Sequence, residues 1–76
     1  MTLADINRGE EFKIINIPNE TIRVQAIRFG ISEGSTVICA EKIPGGPVIL
    51  KKNLQEIAIG RRLAKKISIE KSLPVL

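Results

Sequence analysis

Residues 22–37 of this 76-residue chain encode a short helix, a glycine stop and a second glycine turn that runs straight into a strand, and few small folds accommodate that succession. Ile22, Ala26 and Phe29 fall at i, i+4 and i+7, one stripe of a helix, while Arg23, Gln25 and Arg28 lie around the rest. Asn19 is suited to cap the helix start, with Glu20 in the first turn against the positive end of the helix dipole. Gly30 ends the helix, because glycine takes a positive φ without a Cβ clash, and Ser32-Glu33-Gly34-Ser35 reads as a tight turn. A helix this short cannot bury its stripe alone, so a sheet made by the rest of the chain must cover it.

The remainder reads as strands. Phe12–Ile17 has strand composition and is closed by Pro18. Thr36–Ile43 and Val48–Lys52 flank Pro44-Gly45-Gly46-Pro47, the clearest hairpin in the sequence. Residues 53–66 fit two patterns, since Leu54, Ile57, Ala58 and Arg61 have helical spacing whereas Glu56-Ile57-Ala58-Ile59 alternates. Gly60 in mid-helix favours the strand, and Asn53 suits a left-handed turn that opens it. A helical turn over Arg61–Lys65 and a last strand over Lys66–Glu70 complete a domain spanning residues 1–70, and residues 71–76 form a short tail. Tyr and Trp are absent, and stiff Ile and Val side chains carry the core, which fits pleated surfaces. The expectation is an all-β fold, a small SH3-like antiparallel barrel of about five strands with one short helix after the first. An open α+β sheet with a second helix over residues 53–66 is the other candidate.

Function classes narrow by chemistry. His is absent, Cys39 has no thiol partner and reads as a small core hydrophobe, and Glu10-Glu11 is a lone acidic pair at a turn, read as a solvated surface feature. No specific metal site and no catalytic residue is expected, and no Gly-Lys-Ser/Thr phosphate loop is present. No apolar run approaches a membrane span and no secretory signal is visible at the start, from which a cytoplasmic location is expected. The formal net charge is +4, with four basic and five acidic residues in 1–38 against eight basic and three acidic in 39–76. A binding module remains. Its candidate contacts are Arg23 and Arg28 beside the helix stripe, and a basic ridge of Lys51, Lys52, Arg61, Arg62, Lys65 and Lys66. The apolar tail Leu73-Pro74-Val75-Leu76 offers a route to a homo-oligomer.

The opening Leu-Ala-Asp-Ile, the turn Phe29-Gly30-Ile31-Ser32-Glu33-Gly34-Ser35 and the closing Ile57-Ala58-Ile59-Gly60-Arg61-Arg62-Leu63-Ala64-Lys65-Lys66-Ile67 resemble the ferrous-iron transport protein A (FeoA) family over nearly all of residues 2–70. The family usually has a basic residue and a leucine where this chain has Gln25 and Ala26, and a glycine where it has Asn53. The resemblance implies a small cytoplasmic SH3-like protein that serves the FeoB membrane transporter, a GTPase-linked ferrous iron permease, as accessory or regulator through protein contact. Two other readings stand beside it: a basic nucleic-acid-binding barrel, which lacks stacking aromatics, and the detached C-terminal domain of a metal-dependent repressor.

Overall fold

Phe12 and Ile14 alternate with Glu11 and Lys13, and a period of two turns both apolar side chains to one face of strand β1 (Glu11–Asn16). A computed structural model describes residues 1–28 and 30–72. In it β1 is followed by helix α1 (Glu20–Arg28), strands β2 (Thr36–Lys42), β3 (Val48–Lys52) and β4 (Gln55–Ile59), helix α2 (Arg61–Ala64) and strand β5 (Ser68–Lys71). A single 3₁₀ turn at Leu3–Asp5 precedes them. The strands form one antiparallel sheet in the order β4-β3-β2-β1-β5.

All five strands feed one core. Phe12, Ile14, Val37, Cys39, Val48, Leu50, Ile59 and Ile69 are buried on the inner face, joined by Leu3, Ile6, Ile17, Ala26, Ile31, Ala64 and Ile67 from the connections. The register slips at Ile15 of β1 and at Ala40 of β2, where one extra residue bulges out. Such bulges bend and twist a strand, which lets the sheet curl around its core as an SH3-like barrel. The two end strands, β4 and β5, are not paired with each other. Residues 55–59 are a strand and not part of a second helix, and Asn53 (φ 57°) takes the left-handed conformation that starts the two-residue turn before it.

The helix is built as its sequence implies. Asn19 Oδ1 accepts from Ile22 N–H at 3.0 Å, one of the donors a helix start leaves unsatisfied. Gly30 (φ 74°) stops it, Ile31 N–H returns to the Ala26 carbonyl at 2.9 Å, and Gly34 (φ 92°) turns the chain into β2. Glu33 reaches back to accept from Ile17 N–H at 3.0 Å, which ties the exit of β1 to this turn. Ala26 is buried and Ile22 half-buried against the core, as the stripe requires, while Phe29 lies outside the described residues. Two departures come from long-range contacts. The final strand begins at Ser68 rather than Lys66 and runs through Lys71, where Ser72 N–H still donates to the Glu11 carbonyl. Glu10 is half-buried rather than freely solvated: it accepts from Asn7 N–H at 2.8 Å and pairs with Lys71 on β5. That ammonium, with the Asn7 N–H, holds the Glu10 carboxyl below the usual carboxylate value.

Candidate interaction surfaces

The basic residues expected to form one ridge fall into separate groups. Lys51 and Lys52 are neighbours on β3 and therefore point to opposite faces of the sheet. Lys51 is exposed on the outer face and stands across from Glu56 of β4. Lys52 turns inward, and its Nζ donates to the Gly30 carbonyl at 2.7 Å and to Ser35 Oγ at 3.4 Å. Its charge thus sits at the negative end of α1, where a cation is favoured. Arg61, Arg62, Lys65 and Lys66 lie at the other end of β4, a strand length of about 14 Å away. The cluster at α2 therefore stands apart from Lys51 and Lys52, which do not share a face.

At the α2 cluster, Arg62, Lys65 and Lys66 are exposed and Arg61 is half-buried, its Nε out of solvent and without a hydrogen-bond partner among the described residues. The start of α1 and the length of α2 face each other here. Between them runs an open groove of about 450 Å³, lined by Asn19, Thr21, Ile22, Gly60, Arg62, Leu63 and Lys66. Ile22 and Leu63, both half-buried against the core, give it an apolar floor, and Arg62 and Lys66 give it a cationic rim. Position in sequence hid this groove, because its walls come from segments some forty residues apart.

Arg28 is exposed at the end of α1, whereas Arg23 is half-buried rather than free beside the stripe. Val24 and Ile27, outside the contacts expected from the sequence, are 50% and 57% exposed on the outer side of α1. Their i, i+3 spacing was the available signal. Leu54, 97% exposed, tops the β3–β4 turn. The tail Leu73–Leu76, offered as a self-association element, lies outside the described residues. Among the described residues no three His, Cys, Asp or Glu side chains gather. Cys39 is fully buried, and desolvation raises its thiol above the ordinary value, which keeps it protonated and unreactive. No helix of the described residues is long and apolar enough to cross a membrane.

A curled five-stranded sheet around one aliphatic core, with a groove and charged surfaces outside it, defines a small SH3-like domain. The FeoA domain profile matches residues 1–71. The chain belongs to the FeoA family. A crystal structure of an iron uptake regulatory protein (FeoA) is 26% identical, with a TM-score of 0.78 over 95% of this chain and 97% of that one. The solution structure of the FeoA protein from Chlorobium tepidum superposes with a TM-score of 0.81 at 18% identity, over 93% of this chain and 70% of that one. That of a FeoA-like protein from Clostridium acetobutylicum gives 0.74 at 23% identity, over 100% and 91%. These two show the shared fold. No curated protein matches the chain. Membership ties the chain to ferrous iron transport systems, in a family of small accessory domains not known as enzymes.

Proposed function

We propose that this protein is an accessory or regulatory subunit of a FeoB-type ferrous iron transporter, acting on the cytoplasmic side by protein contact and not by carrying iron. The observation that carries the reading is the groove between α1 and α2, an apolar floor at Ile22 and Leu63 rimmed by Arg62 and Lys66. Burial of the floor would supply the non-directional part of binding, and the rim would select an acidic surface and speed its approach. Donor chemistry supports the second half of the proposal. The chain has no His, its one thiol is sealed in the core, and Asp5 and Glu10 are committed to Thr2, Asn7 and Lys71. Ferrous iron is poorly retained by scattered exposed carboxylates alone.

Co-purification with the transporter from cells, followed by nucleotide hydrolysis with and without this protein, tests the role. Recovery of the complex and a changed hydrolysis rate are expected. Charge reversal at Arg61 and Arg62 is expected to reduce the recovered complex, and retention of full recovery by that variant would exclude the α2 surface.

A further inference from the structure

The two open ends of the sheet are treated differently. At the start of β5, the N-terminal residues cover the outer edge: Ile69 N–H donates to the Met1 carbonyl at 3.0 Å, Leu3 N–H donates to the Ile67 carbonyl at 2.9 Å, and Thr2 bridges Ser68. Nothing among the described residues covers β4 in the same way. β4, Gln-Glu-Ile-Ala-Ile, contains no lysine, proline or bulge, and Glu56 is the one charge on this edge.

The turn before β4 fixes which of its backbone groups face outward. In a two-residue hairpin the pair that flanks the turn exchanges both hydrogen bonds, and bonded pairs then alternate. Lys52 and Gln55 flank the turn, so the pairs Leu50–Ile57 and Val48–Ile59 are also bonded. Glu56 and Ala58 therefore direct their N–H and C=O groups away from β3, to the free edge. Two donors and two acceptors are presented, with the side chains of both residues exposed on the outer face and Ile57 half-buried on the inner face.

We propose that this edge is the contact for a second copy of the chain, with β4 paired antiparallel to β4 of its partner about a two-fold axis through Ile57. In that register Glu56 lies opposite Ala58 of the other copy and each such pair exchanges two hydrogen bonds, four in all, with every outward group of both residues satisfied. The two Ile57 side chains meet at the close spacing of a non-bonded pair, and no like charges oppose. Neighbouring registers fail on visible grounds. An axis through Glu56 sets two carboxylates face to face, which is destabilising. An axis through Ala58 sets Glu56 against Gly60, whose carbonyl already accepts from Ala64 N–H at 2.9 Å as α2 begins. The product is one ten-stranded sheet with two α2 grooves related by symmetry.

Position 58 tests both the contact and its register, because a change there is exposed and leaves the β3 ladder intact. Sedimentation equilibrium of the intact chain up to millimolar concentration is expected to show a monomer–dimer equilibrium. Ala58→Lys places a cation opposite Glu56 twice per dimer and is expected to tighten association about three- to tenfold. Ala58→Glu places a carboxylate there and is expected to weaken it by a similar factor, while circular dichroism reports an unchanged fold for both. Slowed amide exchange at Glu56 and Ala58 with rising protein concentration would accompany the dimer. A wild-type chain and an Ala58→Lys chain that both stay monomeric would overturn the proposal. So would a dimer indifferent to both substitutions, or one weakened by both, which is the signature of an axis through Ala58.

Discussion

Replacing Lys52 by Met separates a charge that holds the fold from one that is free to meet a partner. The Lys52 ammonium lies 2.7 Å from the Gly30 carbonyl, at the end of α1 where unsatisfied carbonyls accumulate, with Ser35 Oγ as a second acceptor at 3.4 Å. A hydrogen bond to a charged group is worth about 1.5–3 kcal/mol net, and half-exposure of this side chain reduces that to about 1–2 kcal/mol. Met keeps the apolar stem, so little packing is lost. For a domain of this size 1 kcal/mol moves the melting temperature by about 4–8 °C, which gives a drop of roughly 5–15 °C for Lys52→Met. Lys51→Met, one residue away, removes only an exposed cross-strand partner of Glu56 and is expected to cost about 0.2–1 kcal/mol. Thermal unfolding followed by circular dichroism compares the two directly. Equal shifts for both variants would refute the assignment of Lys52 to the end of α1.

Glycine positions divide by φ. Gly34→Ala meets no neighbouring atom yet must hold φ 92°, and chemical denaturation is expected to show a loss of about 1–2 kcal/mol. Gly60→Ala, at φ −58° in equally open space, is expected to be neutral or slightly stabilising. Stability should also fall in acid. The Glu10 carboxyl is lowered from 4.5 by Lys71 and the Asn7 N–H, and the Asp5 carboxyl from 3.8 by the N–H and hydroxyl of Thr2, so the unfolded chain binds more protons than the folded one. Their stabilisation is present above the unfolded values and disappears as pH drops through the lower folded ones. Glu10→Gln is therefore expected to flatten the fall in urea midpoint below about pH 4.5, and a curve parallel to wild type would rule the Glu10–Lys71 pair out as its source.

What the sequence made readable is what local chemistry decides. Asn19, Gly30 and Gly34 bound α1 through short-range capping and φ preference, and Gly60 with Asn53 turned an ambiguous segment into β4. The bulges at Ile15 and Ala40 escaped, because the apolar runs Ile14-Ile15 and Val37–Ala40 do not say which residue is the extra one; that follows from fitting two neighbouring strands around one core. The same holds for the candidate site. Charge counting found Lys52, Arg62 and Lys66 alike, but only the fold sends the first to a carbonyl 22 residues away and sets the other two around Ile22 and Leu63. The covering of β5 by Met1 and Leu3, and the bareness of β4 beside it, are likewise products of contacts between distant segments.

The most direct test of a contact role is the affinity of the purified protein for the transporter's cytoplasmic domain, measured by calorimetry at low and moderate salt with the wild type and an Arg62→Glu/Lys66→Glu variant. Wild type is expected to bind, more weakly as salt rises, and the folded double variant about tenfold or more weakly still, as two reversed charges at about 1 kcal/mol each imply. Affinity that is the same for both proteins and insensitive to salt would contradict the account.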